Sequence, residues 1–180
     1  MKLGRITGAI GGYLWFPDET LALVYTVRPT PTTRIWLAST SQLTLEPYLP
    51  ENSSLVSLSP DGQWVLYIRA GRIHAVEFAT GADIQLPDTI HTGPGYIWWL
   101  PDGSNFMYLS PNEDQAGYIL SQFDLSSFTG RALYDEDLAV FLWYDPSAAM
   151  SPDRAKLAFI QAGTDPFSPP AGLRLLLLCP

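Results

Sequence analysis

SPDGQWVLYI, residues 59–68, sets a Pro-Asp-Gly turn directly ahead of an apolar, aromatic strand. Proline presets φ for the first corner of a tight turn, aspartate bonds its own backbone two residues on, and glycine supplies positive φ. Whether this is one hairpin or one copy of a repeated unit decides the fold. Pro-Asp recurs at Pro17-Asp18, Pro60-Asp61, Pro101-Asp102 and Pro152-Asp153, at spacings of 43, 41 and 51 residues. Pro87-Asp88 lacks the flanking pattern and falls where the repeat places an outer loop.

The flanks make the repeat specific. Two residues before each proline stand Trp15, Leu58, Trp99 and Met150, all large and apolar. A few residues after it come Ala22-Leu23-Val24, Val65-Leu66-Tyr67, Phe106-Met107-Tyr108 and Leu157-Ala158-Phe159. Short runs apolar at every position suit strands buried on both faces. Residues 72–86 read as strand, Thr80-Gly81 turn, strand; residues 118–134 repeat this with a turn at Thr129-Gly130, and residues 34–49 are a looser version without glycine. Each unit is thus four strands in about 45 residues, the blade signature of a β-propeller. The expected fold is all-β: a propeller-like array of four four-stranded blades in one domain, at about 8–50, 51–90, 91–138 and 139–180.

The blocks resemble the WD40-like PD40 repeats of the TolB-like propeller family. Trp99-Leu100-Pro101-Asp102-Gly103 and Ser59-Pro60-Asp61-Gly62 carry the resemblance best, and Asp124-Leu125 ahead of Thr129-Gly130 matches the family's later Asp-Leu-x-Thr-Gly with two extra residues. Glu19 and Arg154 stand where the family has glycine, so those two turns are expected to be of another type. The resemblance covers nearly the whole chain and implies a fold. It carries no catalytic residue across. In the family the propeller binds partner proteins in the cell envelope, which by analogy implies a recognition or scaffold role here.

The last block lacks a fourth strand, while Gly4-Arg5-Ile6-Thr7 resembles the end of one. Residues 1–7 completing the last blade would close a small ring. Otherwise the chain is a sector of a larger ring, completed by another copy or other proteins, or part of a longer protein. TolB-like rings usually exceed four blades, which favours the open or assembled form. An open sector leaves two apolar faces in water; at ~25 cal/mol per Å², several hundred Å² per end costs on the order of ten kcal/mol relative to closure.

Composition narrows the function classes. The 180 residues carry a net charge of −8 and only two lysines, Lys2 and Lys156, which argues against nucleic acid. The single cysteine, Cys179, makes neither an internal disulfide nor a cysteine metal site. The N-terminus has Lys2 and Arg5 but a glycine-diluted apolar run and no small-residue cleavage site, a poor signal peptide. Leu173–Cys179 is far shorter than the ~20 residues of a spanning helix.

The candidate chemistry is sparse. The repeated Asp18, Asp61, Asp102 and Asp153 read as turn caps rather than acids, and His74 and His91 lack zinc-site spacing. Asp135-Glu136-Asp137 and Glu113-Asp114 read as solvated loops, without a calcium-loop pattern. No G-x-S-x-G elbow is present. Asn52-Ser53-Ser54 fits a glycosylation acceptor. Trp15 and Trp99 hold the family's packing position and read as core, with Trp98 on the opposite face. Tyr13, Tyr96 and Tyr144 lie near the start of first strands, which line the channel of a propeller, and are the candidates for a binding mouth. No catalytic residue, metal or cofactor is expected. The preferred reading is a non-catalytic module for protein–protein interaction. The alternatives are the gating propeller of a prolyl oligopeptidase-type serine hydrolase whose catalytic domain lies outside this chain, and a carbohydrate-binding propeller.

Overall fold

A computed structural model describes residues 9–27, 34–88, 90, 97–111, 118–138, 148–154, 156–161 and 172–177. All of its regular elements are β-strands. The chain divides into two units, Met1–Asp88 and Thr89–Pro180. The first holds two antiparallel four-stranded sheets, β1(Ala9–Trp15)-β2(Leu21–Val27)-β3(Ile35–Ser39)-β4(Thr44–Pro47) and β5(Ser53–Leu58)-β6(Trp64–Arg69)-β7(Arg72–Glu77)-β8(Asp83–Gln85). The second holds β9(Ile97–Trp99), β10(Asn105–Pro111), β11(Tyr118–Asp124) and β12(Thr129–Leu138) as a third four-stranded sheet. Its other sheet is β13(Ala148–Met150)-β14(Lys156–Gln161)-β15(Gly172–Leu177). In every sheet sequence neighbours pair, as meandering hairpins require.

The two sheets of the first unit pack face to face through Phe16, Leu23 and Ile35 on one side and Val65, Tyr67 and Val76 on the other. Phe16 and Phe78 meet with ring centroids 4.6 Å apart. Val65, Leu66 and Tyr67 are each 0 % exposed, as a strand apolar at every position must be. In the third sheet Trp99, Phe106 and Phe123 form an aromatic row, with centroids 5.3 and 5.7 Å apart across β9, β10 and β11.

Four turns share one wiring. The residue before each proline (Phe16, Ser59, Leu100, Ser151) donates its N–H to the carbonyl five residues on. Its own carbonyl accepts from the N–H three residues on: Glu19, Gly62, Gly103 and Arg154. Those four residues are left-handed, with φ of 57°, 75°, 74° and 56°. The expectation of a different turn at Glu19 and Arg154 is therefore corrected: the hydrogen bonds hold the same backbone, and the non-glycine residues carry its strain. Gly62 has a second reason to be glycine, since a Cβ there would lie 3.0 Å from the Phe16 ring and from Pro17.

The second turn of the third sheet also differs from expectation. Thr129-Gly130 opens β12, pairing with Asp124 and Phe123, and the reversal is made by residues 125–128 with Phe128 left-handed at φ 55°. Leu43 and Gly81 hold the corresponding left-handed position, four residues after Ser39 and Glu77 as Phe128 is after Asp124. Asp135-Glu136-Asp137 lies within β12 rather than in a loop. Residues 1–7, Tyr96, Tyr144, His91 and Glu113-Asp114 lie outside the described residues, and with them any pairing of residues 4–7 with β15.

Candidate interaction site

The sequence places its repeated carboxylates at the Pro-Asp turns, and each is engaged by its own loop. Asp18 Oδ1 accepts the Thr20 N–H at 3.1 Å and Oδ2 the Thr20 hydroxyl at 2.6 Å. Asp61 accepts from the Gln63 N–H at 3.0 Å and from Ser59 Oγ at 2.6 Å. Asp102 accepts from the Ser104 and Asn105 N–H groups, and Asp153 from Ser151 Oγ. The hydrogen bonds from Thr20 hold the Asp18 carboxyl below the ordinary value. Asp124 does the same work in the second turn: bonds from Ser126, then Ser127, pull its carboxyl down. Carboxylates bonded in this way fix the shape of their own loops.

The two turns are tied to each other. The Thr40, Phe78 and Leu125 N–H groups donate to the carbonyls of Thr20, Gln63 and Ser104. In three sheets the residue opening the second turn thus bonds the residue closing the first.

One polar group was not singled out in the sequence. Tyr67 donates its hydroxyl to Asp83 Oδ2 at 2.6 Å, and its ring stacks on His74 with centroids 5.1 Å apart. His74 Nδ1 lies 3.3 Å from Asp83 Oδ1. Strand register makes the group, since Tyr67 is directly opposite His74 and Asp83 directly opposite Val76. Alternation along residues 64–77 would have revealed the first pairing, but the register of the short β8 was not legible. Burial pushes the Tyr67 phenol well up, and the Asp83 bond pushes the same way. Tyr48, a buried phenol without a hydrogen-bond partner, is pushed up to about 12 by desolvation alone. Among the described residues no three His, Cys, Asp or Glu side chains are grouped to hold a metal ion, and no helix is long and apolar enough to cross a membrane.

The candidate aromatic residues separate. Trp99 is 4 % exposed and packed on Phe106. Trp15, at the same position of its sheet, is 49 % exposed, so its assignment to the core is corrected. Tyr13, from the candidate mouth, is 63 % exposed and stands edge-on to Trp15 with centroids 6.3 Å apart. The reason is facing. Tyr13, Trp15, Ala22, Val24 and Trp36 are linked across β1, β2 and β3 as directly paired residues on one side of the sheet. Leu23 and Ile35 alternate to the other side, where the second sheet covers them. Gly12 fits beneath Tyr25, whose hydroxyl and ring atoms would lie 2.7–2.9 Å from a Cβ there. The outcome is an exposed aromatic pair, Tyr13 and Trp15, on a face whose paired residues are uncharged and whose Ala22 is buried.

No family model matches the sequence, and no curated protein is similar to it. Solved structures are similar in fold. TolB from Acinetobacter baumannii superposes with a TM-score of 0.61 at 18% identity, covering 98% of this chain and 43% of its own. The β-propeller domain of the Trilobed protease from Pyrococcus furiosus gives 0.56 at 11% identity, covering 89% and 51%. Porphyromonas gingivalis dipeptidyl peptidase 4 gives 0.56 at 14% identity, covering 89% and 31%. The chain has a TolB-like β-propeller fold and spans about half the length, or less, of these structures.

Proposed function

We propose that this chain is a non-catalytic binding or scaffold module, built of PD40-type repeats, that mediates protein–protein interaction. The observation that carries the reading is the Tyr13–Trp15 pair: two aromatic side chains about half or more exposed, with uncharged residues paired beside them in the sheet. Aromatic residues on a rigid element are the anchors from which protein interfaces draw most of their energy. The turn carboxylates favour the same reading, because their acceptor oxygens are taken by their own loops.

A second reading has its own support. Dipeptidyl peptidase 4 is among the similar structures, and this chain covers only 31% of it. On that reading the chain is the propeller portion of a serine hydrolase of prolyl oligopeptidase type, with its catalytic domain elsewhere.

The test is a panel of chromogenic ester, peptide and glycoside substrates offered to the purified chain. No turnover above the buffer rate is expected. Turnover that is lost on His74→Ala or Tyr67→Phe, with the fold retained, would overturn the non-catalytic reading.

A further inference from the structure

We propose that Arg131, Gln122, Asn105 and Asp102 act as one side-chain strap across the third sheet, through which the outer strand β12 sets the shape of the Pro-Asp turn between β9 and β10. It is a conformational device built into a single sheet.

Strand register brings the four residues together. Gln122 on β11 is directly opposite Arg131 on β12. Met107 on β10 is directly opposite Gln122, and Asn105 stands two residues before Met107. Asn105, Gln122 and Arg131 therefore share one side of the sheet. The aromatic row of Trp99, Phe106 and Phe123 takes the other side. The side-chain bonds then run in one direction. Arg131 donates to Gln122 Oε1 from Nη2 at 2.9 Å and from Nε at 3.3 Å. Gln122 Nε2 donates to Asn105 Oδ1 at 2.9 Å, and Asn105 Nδ2 donates to Asp102 Oδ2 at 2.8 Å. The other oxygen, Asp102 Oδ1, accepts the Ser104 and Asn105 backbone N–H groups at 3.1 and 2.9 Å.

The charges at the two ends orient both amides. A guanidinium only donates and a carboxylate only accepts. Turning Gln122 over would set its NH2 group against the guanidinium. Turning Asn105 over would set its carbonyl oxygen against the carboxylate. Each bond polarises the next, so the strap behaves as an ion pair extended through two amides. The repeat does not demand it. Three residues after Asp18 and Asp61 stand Leu21 and Trp64, where the third sheet has Asn105. Leu37 and Ala75 stand where it has Gln122. The strap is an addition to the repeat, and it links the outer strand to the turn that the repeat supplies.

The backbone N–H groups of Ser104 and Asn105 report the far end of the strap, and nuclear magnetic resonance reads them one by one. Arg131→Met removes the guanidinium from an exposed position, and circular dichroism should be unchanged. The variant should shift both resonances and speed their hydrogen exchange at least about threefold. The Gln63 N–H, held by Asp61 in the second sheet, should keep its rate. With Gln122→Met already in place, Arg131→Met should have no further effect at Ser104 or Asn105. Unchanged Ser104 and Asn105 signals in Arg131→Met would overturn the proposal. So would the same response to Arg131→Met after Gln122 has been replaced, because the signal would then travel by another route.

Discussion

Glu19 and Arg154 hold the left-handed backbone that Gly62 and Gly103 adopt without cost. For an L-residue that conformation costs about 1–2 kcal/mol, while glycine gives back some 0.4–1 kcal/mol through the unfolded chain. Glu19→Gly is expected to stabilise the protein by about 0.5–1 kcal/mol, read as a raised denaturant midpoint. Arg154 is the less clean site, because its guanidinium also donates to the Trp99 carbonyl at 3.3 Å. The reverse change, Gly62→Ala, adds left-handed strain to a Cβ driven against Phe16 and Pro17, and should cost about 2–3 kcal/mol. Tyr67 carries the alkaline prediction. Its phenol is raised above the ordinary value in the folded state, so the stabilisation is complete below about pH 10 and is lost as pH rises through the higher folded value. In an ultraviolet titration the tyrosine signal should stay incomplete until the protein unfolds, and Tyr67→Phe should remove part of that late-titrating signal. Ionisation of all nine tyrosines in one step near pH 10, with the fold intact, would contradict it.

The elements were legible where the residues themselves carry the turn. Pro-Asp-Gly at residues 60–62 and 101–103 announces its geometry, and the apolar runs behind it have no other home than a doubly covered strand. The second turn was misplaced in the third sheet because the left-handed residue there is Phe128, while glycine, the usual sign, falls one step inside β12. What shapes that turn is the Asp124 carboxylate gathering Ser126 and Ser127, a side-chain pattern that glycine counting overlooks. Ser126→Ala should raise the Asp124 carboxyl back toward its ordinary value, measurable by nuclear magnetic resonance. Because the folded value is depressed, the turn's contribution is present above pH about 4 and fades as pH falls through that value. Trp15 and Trp99 show the limit of reading the site from sequence. They share a repeat position, but burial depends on what covers the sheet, which no local pattern encodes. Trp99→Ala should cost about 3–5 kcal/mol as a large-to-small change in a packed aromatic row. Trp15→Ala should cost less than about 1 kcal/mol in the isolated chain. Equal losses in thermal or denaturant unfolding would show that the two faces are equally covered.

For the whole molecule, charge and apolar surface act against each other. The net charge is −8 and the isoelectric point about 4.5. At neutral pH like charge keeps chains apart at long range, while the uncharged aromatic face favours contact at short range. Approaching pH 4.5 removes the first influence and leaves the second. Solubility should therefore pass through a minimum there, and light scattering should increase before circular dichroism reports unfolding. Tyr13→Glu should reduce that scattering; an equal increase with the variant would place the sticky surface elsewhere.

The narrow space left at Gly62 has a mechanical consequence. The turn of the second sheet fits closely under the turn of the first, where a methyl group at Gly62 would press on Phe16 and Pro17, and both turns are tied by a backbone bond to their companion hairpin. The two loops brace each other through this close approach. A ligand resting on this end of the first unit would meet turns already tied together by backbone bonds. Little disorder would remain to be lost on contact, so tight recognition there would not need a large footprint.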